Sequence, residues 1–197
     1  DNGFDTPLNF FTHISKFPFY EQLKNQAVKN GFDLNKKIEA IDFKPVLELF
    51  LTEKGLNYAN LPKGLLLFHQ YSDGPRLALE EHLMEAVNYA SDKKHVCRLH
   101  LTVSPEHHSK FEAAVKEKKQ KIGKENHVIF QISFSQQKAS SDTIAVNLND
   151  EPFRNFDGNL LFRPAGHGAL IENLNDLKGE IIYIKNIDNV VPDELRD

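Results

Sequence analysis

The stretch that decides the fold class is VCRLHLTVSPEHHSKFEAAVKEKKQKIGKENHVIFQISF, which covers residues 96–134. Its two apolar runs, 96–103 and 128–134, are short and rich in β-branched and aromatic residues, as is typical of buried strands. Between them, Pro105 to Lys119 has the apolar spacing of a helix. A strand, a crossover helix and a second strand form a unit whose strands run parallel. The sequence therefore predicts an α/β domain with a mostly parallel sheet.

The segments on either side extend this alternation. We predict a strand at Leu65–His69 and a helix at Leu77–Tyr89, then a helix at Ala169–Leu177 and a strand at Ile181–Ile184. Asp157-Gly158 lies between apolar residues, a pattern that predicts a β-hairpin turn and interrupts the alternation. The expected architecture is a three-layer α/β/α, Rossmann-like mixed sheet with a hairpin insertion.

The first 55 residues have a different sequence pattern, in which apolar residues recur at near-helical spacing. Gly31 and Gly55 are expected to end helices. We predict a helical segment over residues 1–55, as an insertion or cap, and a partial α/β domain over residues 56–197. The apolar positions that carry the helical spacing are Leu8, Phe11, Ile14, Phe17, Leu23, Ile38, Ile41, Val46, Leu49 and Phe50.

Composition excludes several classes of protein. The 197 residues carry a formal net charge of −4, so there is no basic surface of the kind that binds nucleic acid. No apolar run is long enough to span a membrane, and the N-terminus does not resemble an export signal, so we expect a cytoplasmic protein. The single cysteine, Cys97, lies in an apolar run and is expected to be a small buried hydrophobe.

Chemistry is concentrated near the C-terminus, in Gly166-His167-Gly168 and in Asn186-Ile187-Asp188-Asn189. The two glycines lack a Cβ, so the backbone beside His167 can adopt positive φ and can approach a flat ligand closely. The alternative is a plain turn that links the hairpin to the next helix. Asp188 follows a predicted strand, where a lone carboxylate is suited to a divalent ion that bridges phosphates.

These two motifs, with Tyr183 to Asn189 as a unit, resemble the pattern of the eukaryotic-type UDP-glucose pyrophosphorylases, although Ala165 separates Pro164 from the first glycine. The resemblance implies that Asn186, Asn189 and the Gly-His-Gly turn bind nucleotide or substrate. Phe134-Ser135-Gln136-Gln137 resembles a further segment of that family, which implies that Gln136 contacts uracil. An amide can pair with the carbonyl and the imide N–H of that base. Gln137 is the neighbouring candidate, and a surface amide without a role is the alternative for either.

A third match is Leu61-Pro62-Lys63-Gly64-Leu65-Leu66, which resembles a motif of the wider nucleotidylyltransferase superfamily, as Glu80-Glu81-His82-Leu83 resembles the segment after it. The resemblance implies that Lys63 neutralises charge on the triphosphate and on the departing pyrophosphate. The other histidines, His100 among them, lack ligand spacing and are given no role.

The most extensive match, over residues 56–193, is to a family of bacterial proteins classed as a domain of unknown function. We identify the chain as similar to that family on four long strings, which are Leu61–Leu66, Thr102–His107, Asp142–Val146 and Gly166–Leu174. The fold that this resemblance implies is that of the nucleotide-diphospho-sugar transferases.

The implied reaction transfers a uridylyl or other nucleotidyl group from a nucleoside triphosphate, with UTP favoured, to a sugar 1-phosphate. Pyrophosphate leaves, and Mg²⁺ bound by Asp188 assists together with Lys63. Nothing upstream of Lys63 resembles the glycine-rich phosphate loop of these enzymes, so we expect that loop to precede Asp1. The chain is then an N-terminally truncated fragment with weak nucleotide binding and no turnover. The alternatives are a non-catalytic nucleotide-binding or scaffold domain and a glycosyltransferase on the same fold.

Overall fold

The computed structural model describes residues 6–195, with side chains from Leu8 onward. It divides into two compact units. The first contains the described residues up to Glu85 together with those from Lys185, and the second contains Ala86–Ile184.

The N-terminal part of the first unit is helical, as the apolar spacing predicted. Helices α1 (Thr6–Thr12), α2 (Tyr20–Lys29), α3 (Leu34–Glu39) and α4 (Phe43–Leu51) follow one another along the chain. Asp33 caps α3, because its carboxylate accepts hydrogen bonds from the backbone N–H groups of Asn35 and Lys36. The helices enclose one apolar core, whose buried members are Phe11, Ile14, Phe19, Leu23, Ala27, Leu34, Val46 and Leu49.

Of the two glycines predicted to end helices, Gly31 lies at the end of α2, whereas α4 ends at Leu51, before Gly55. Gly31 follows α2 with φ of 81°, a conformation that favours glycine, so the predicted helix end is confirmed there. Gly55 follows α4 at a distance of a few residues, and a Cβ built on it would overlap the Leu49 carbonyl group. A side chain at position 55 would therefore push this loop away from α4.

A β-hairpin and most of the helix after it also belong to the first unit. Strands β1 (Leu67–Tyr71) and β2 (Gly74–Leu77) pair antiparallel, and α5 begins directly at Ala78 and continues to Tyr89. The predicted strand at Leu65–His69 is thus displaced, because Lys63–Leu65 form a 3₁₀ turn. Glu80 stabilises the start of α5 by accepting a hydrogen bond from the Leu77 N–H at 2.9 Å.

The strand–helix–strand prediction is confirmed in the second unit. Strand β3 (Val96–Thr102) pairs parallel with β4 (Ile129–Ser135) over seven residue pairs, from Val96 opposite Ile129 to Thr102 opposite Ser135. Helix α6 (His108–Glu125) forms the crossover and buries Phe111, Val115 and Ile122. Cys97 is fully buried, as predicted, and burial raises the pKa of its thiol.

The hairpin around Asp157-Gly158 is also confirmed, although it is irregular. Strands β5 (Thr143–Ile144) and β6 (Phe162–Arg163) pair antiparallel, and an isolated bridge joins Arg154 to Leu160 closer to the turn. Gly158 has φ of 78°, which explains why glycine suits this turn. The short helix α7 (Ile171–Asn175) follows, preceded by a 3₁₀ turn over His167–Leu170.

The prediction of one large Rossmann-like sheet is wrong. The described chain has seven α-helices and three two-stranded sheets, only one of them parallel. The predicted strand Ile181–Ile184 does not form, and its four side chains are exposed. A strand needs a neighbour for its backbone N–H and C=O groups, and no ladder within residues 6–195 includes this segment. An apolar run alone cannot supply that neighbour.

None of the helices within residues 6–195 combines the length and the apolar character that crossing a membrane requires.

Candidate functional site

In the first unit, the lysine predicted to neutralise phosphate charge and the aspartate predicted to bind Mg²⁺ form an ion pair. Lys63 Nζ lies 2.7 Å from Asp188 Oδ2, although 125 positions separate the two residues in the sequence. Both side chains are exposed, with relative accessibilities of 66% for Lys63 and 40% for Asp188. A cation and a carboxylate that are paired and open to solvent can both exchange partners with an incoming charged ligand.

The segment that carries Asp188 is held against α5. His82, which is buried, forms a hydrogen bond of 3.0 Å through Nε2 to the Ile187 carbonyl oxygen and so donates at that nitrogen. Lys185 Nζ lies 3.3 Å from Oε1 of the buried Glu85. These contacts flank Asp188 on its N-terminal side. They explain why polar residues occupy a buried face of α5, which apolar patterning alone does not predict.

Asn186 and Asn189, the two amides predicted to bind substrate, form a turn around Asp188. The Asn189 N–H donates to the Asn186 carbonyl oxygen at 3.0 Å. Asn186 is half-buried and Asn189 is exposed. The turn presents the Asp188 and Asn189 side chains to solvent on the surface of this unit.

A second polar cluster anchors the end of the same segment. Arg76 Nη1 donates to Asp193 Oδ2 at 2.7 Å, and its guanidinium lies over the Tyr71 ring at 3.9 Å. Glu81 is fully buried, with Oε1 at 3.1 Å from His69 Nδ1 and Oε2 at 4.0 Å from Arg76. Burial and the nearby Glu81 carboxylate raise the pKa of Tyr71 to about 12. Burial alone would lower the pKa of Arg76, but Asp193 and Glu81 outweigh it and raise that pKa.

In the second unit, the Gly-His-Gly motif lies in the 3₁₀ turn before α7. Gly166 has φ of −69° and neither glycine is among the described residues with positive φ, so the left-handed backbone that these glycines permit is not adopted here. The turn closes through a hydrogen bond from the Ala169 N–H to the Gly166 carbonyl, which a negative φ permits. A Cβ built on Gly166 or Gly168 would meet no atom within 4 Å. All three residues are exposed, so the backbone of the turn is accessible.

Gln136 and Gln137 have different surroundings just after β4. Gln137 Nε2 donates to Asp142 Oδ1 at 2.8 Å, so this amide is used within the loop. The Gln136 side chain is exposed. Of the two candidates, Gln136 is therefore the one whose side chain is directed to solvent.

A polar network that the sequence analysis missed lies at the carboxyl end of β3 and β4. The Ser135 hydroxyl lies 2.8 Å from His100 Nε2 and 3.2 Å from the Thr102 hydroxyl. His100 Nδ1 lies 2.8 Å from the Ser133 hydroxyl, and burial lowers the pKa of His100. Asn173, on α7, donates from Nδ2 to Ser135 Oγ at 2.9 Å and to the Gln136 carbonyl oxygen at 2.7 Å.

One sequence signal for this network existed. His100 and Thr102 alternate on β3, as Ser133 and Ser135 do on β4, and the register aligns the two pairs on one face of the sheet. Two polar residues at a spacing of two are too common to identify a site. The buried Asn173 has no local signal, because its partners lie 37 and 38 positions away.

The predicted residues therefore fall into two groups. Lys63, Asn186, Asp188 and Asn189 belong to the first unit, and Gln136 and Gly166–Gly168 belong to the second. The structure joins Lys63 to Asp188, and it joins Gln136 to the helix that follows the Gly-His-Gly turn.

Metal binding at Asp188 can be compared with the donor atoms that the chain provides. Within residues 6–195, no three His, Cys, Asp or Glu side chains gather into a group that could hold a metal ion. Mg²⁺ is commonly bound by one or two carboxylates, with water and substrate phosphates as the remaining ligands. Asp188 fits that arrangement, in which a nucleotide supplies the missing oxygens, and does not fit a site built from protein alone.

Comparison with known proteins identifies a family. A family model described as a domain of unknown function, DUF4301, matches residues 3–197. No curated protein and no solved structure matches the chain. The link to the uridylyltransferases thus stays a prediction based on the motifs. The match extends beyond the strings in residues 56–193 and includes the N-terminal helices, and the chain belongs to the DUF4301 family.

Proposed function

We propose that this chain is a nucleotidylyltransferase-like domain that binds a nucleoside triphosphate, with UTP favoured, and a sugar 1-phosphate. The reaction is attack by a sugar phosphate oxygen on the α-phosphorus, with release of pyrophosphate. The observation that carries the proposal is the 2.7 Å pair of Lys63 and Asp188. These residues were selected from separate motifs as the cation and the carboxylate of phosphate chemistry, and their proximity supports a shared role.

Lys63 supplies positive charge in the proposed reaction. In the chain without ligand its ammonium is paired with Asp188, and an incoming triphosphate offers it a more highly charged partner. Because the Lys63 side chain is 66% exposed, the exchange requires no buried group to move. Loss of one preorganised donor of this kind costs about 10²–10³ in rate.

Asp188 holds the divalent ion in the same proposal. When the Lys63 ammonium pairs with phosphate, the Asp188 carboxylate would hold Mg²⁺, with nucleotide and water oxygens as the other donors. The ion would supply charge neutralisation on the phosphates. His82 and Lys185 contribute by anchoring the segment on which Asp188 stands.

The second unit contributes base recognition. Gln136 is exposed at the carboxyl end of a parallel strand pair, where open α/β sheets bind ligands. Its amide can donate to a uracil carbonyl and accept from the adjacent imide N–H. The Gly166–Gly168 turn, which belongs to the same unit, offers exposed backbone. The proposed base recognition thus needs only the β3–α6–β4 unit and no larger sheet.

Two alternatives make different predictions for the same residues. A glycosyltransferase on this fold uses a pair of metal-binding carboxylates, whereas the Asn186-Ile187-Asp188-Asn189 segment has one. A non-catalytic nucleotide-binding or scaffold domain keeps base recognition and has no turnover. The second alternative predicts stabilisation by a nucleotide but none by a sugar 1-phosphate, and the thermal-shift titration below measures both.

The test is a thermal-shift titration of the chain with UTP, CTP, ATP, GTP and sugar 1-phosphates, each with and without Mg²⁺, followed by a pyrophosphate-release assay. We expect UTP with Mg²⁺ to stabilise the chain most. Asp188→Asn should abolish the Mg²⁺-dependent part of that shift, and Lys63→Ala should weaken the response to UTP with and without Mg²⁺.

A matched control is available in the same unit. Lys37 and Asp42 form an exposed ion pair at the same distance, 2.7 Å. Asp42→Asn removes a comparable pair and should leave the Mg²⁺-dependent shift unchanged. If Asp188→Asn and Asp42→Asn behave alike, Asp188 has no role in metal binding. If no nucleotide stabilises the wild-type chain, the proposed function is wrong for this chain.

A further inference from the structure

Asn173 is a buried amide that links two segments assigned to base recognition. Its side chain is only 4% exposed. Both of its donor contacts go to the end of β4, to the Ser135 hydroxyl at 2.9 Å and to the Gln136 carbonyl oxygen at 2.7 Å. The second contact fixes the main chain of the residue proposed to read the base.

Its position along the chain relates this contact to the Gly-His-Gly turn. Asn173 lies on α7, which begins directly after the 3₁₀ turn over His167–Leu170. Five positions separate it from Gly168. One side chain therefore connects the helix that continues the glycine turn to the backbone of Gln136.

Ser135, the other partner of Asn173, is itself held in place. Its hydroxyl lies within hydrogen-bond distance of both His100 and Thr102 on the neighbouring strand. Asn173 thus fastens Gln136 to a part of β3 and β4 that is fixed by a ladder of seven residue pairs. Gln137 is held separately through Asp142, so the two adjacent glutamines have independent supports.

Other contacts join α7 and the following residue, Asp176, to the loop after β4 without involving Gln136. Lys138 Nζ lies 2.7 Å from Asp176 Oδ2, and the Ser140 hydroxyl donates to Glu172 Oε2 at 3.2 Å. These contacts are exposed and hold the same two elements together. They provide a comparison that separates docking of α7 from placement of Gln136.

We propose that Asn173 is a positioning residue for nucleobase selectivity, which sets the Gln136 amide against the Gly-His-Gly turn so that the pair accepts a uracil-type base. The inference rests on the proposed function. It assigns to Asn173 no contact with the ligand, because its Nδ2 is occupied by protein acceptors and its Oδ1 is buried. Its effect is transmitted through the Gln136 backbone.

The experiment measures Kd for UTP and for CTP by calorimetry with the full chain, together with the thermal midpoint of each variant. CTP is the comparison because it presents an amine and a ring nitrogen acceptor where uracil presents a carbonyl and an imide N–H. Asn173→Ala should reduce the preference for UTP over CTP about tenfold, the effect of losing a hydrogen bond that orients the reading group. Asn173→Asp keeps the side-chain volume and removes both N–H donors. It should reduce the UTP preference as alanine does, without the cavity that alanine leaves.

Two controls make the result specific. Ser140→Ala removes a contact between the same elements and should leave the UTP preference within about twofold of wild type. In a Gln136→Ala background, Asn173→Ala should change the preference no further, because its effect passes through Gln136.

Each outcome decides the inference. If Asn173→Ala and Asn173→Asp retain the UTP preference while the midpoint falls, or if their effect adds to that of Gln136→Ala, Asn173 is merely structural and the inference is overturned. Failure of both variants to fold overturns it in the same way. If the wild-type chain binds no uridine nucleotide, the proposed function fails and this inference fails with it, a result distinct from loss of the Asn173 effect alone.

Discussion

Replacement of Arg76 by Ala tests whether the polar cluster on α5 stabilises the fold. The guanidinium pairs with Asp193 at 2.7 Å, covers the Tyr71 ring and lies 4.0 Å from the fully buried Glu81 carboxylate. Arg76 itself is 19% exposed, so solvent cannot fully replace what is lost. Removing one partner from a buried charged group costs about 3–5 kcal/mol, and the partial exposure of Arg76 places this variant at the lower end, about 3 kcal/mol.

The second unit offers the matched control. Arg98 pairs with Asp92 at the same 2.7 Å, but the Arg98 side chain is 61% exposed. An exposed pair is worth about 0–1 kcal/mol, so Arg98→Ala should have a small effect although the contact distance is identical. The comparison keeps the distance and the residue types of the ion pair fixed, and it varies burial together with the Tyr71 and Glu81 contacts of Arg76.

The assay is differential scanning calorimetry of both variants at pH 7. For a domain of this size, about 3 kcal/mol corresponds to a fall in Tm of about 6–12 °C, against about 2–4 °C or less for Arg98→Ala. Equal falls in Tm for the two variants would refute the reasoning, because burial would then have no influence on how much the ion pair contributes to stability. A lower Tm for Arg98→Ala than for Arg76→Ala would refute it more directly.

Two further predictions follow from single residues. The pKa of Tyr71 is raised to about 12 in the folded chain from an ordinary value near 10, so the stability that its neutral form contributes is complete below pH 10 and is lost as pH rises toward 12. Tyr71→Phe should flatten that part of a stability–pH profile, and an unchanged profile would contradict this prediction. Gly55→Ala should lower Tm because the new Cβ overlaps the Leu49 carbonyl. The new Cβ of Gly166→Ala meets no atom within 4 Å, so this variant should leave Tm unchanged and weaken UTP binding. Unaltered UTP affinity would remove the glycine turn from the proposed site.

The sequence predicted those features that depend on residues close together in the sequence. The parallel β3–α6–β4 unit follows from two short apolar runs around one amphipathic stretch, and the hairpin at Gly158 follows from a residue pair suited to positive φ. The strand at Ile181–Ile184 was predicted from the same kind of apolar run and is absent from the described fold. A run of apolar residues gives composition, whereas a strand also requires a partner for every backbone group, which the run itself cannot indicate.

Side-chain pairing over long separations was the other limit. Arg76 and Asp193 are 117 positions apart, and Asn173 and Gln136 are 37 apart, so no local period connects them. Lys63 and Asp188 were predicted as one site only because each resembled a motif of the same protein family. Without that resemblance, a lone lysine after Pro62 would have been assigned to the solvated surface.

The buried polar face of α5 is what connects fold to proposed function in the first unit. Glu81, His82 and Glu85 are each less than 10% exposed, a position where apolar side chains would pack without the cost of desolvating charge. Each of the three instead meets a group that fixes the C-terminal segment or the hairpin, through Arg76, the Ile187 carbonyl and Lys185. Asp188 lies between Ile187, which His82 holds, and Asp193, which Arg76 holds, so these contacts position the segment that carries its carboxylate beside Lys63. Apolar replacements on this face could preserve the helix, yet they would release the segment that places the carboxylate beside the lysine.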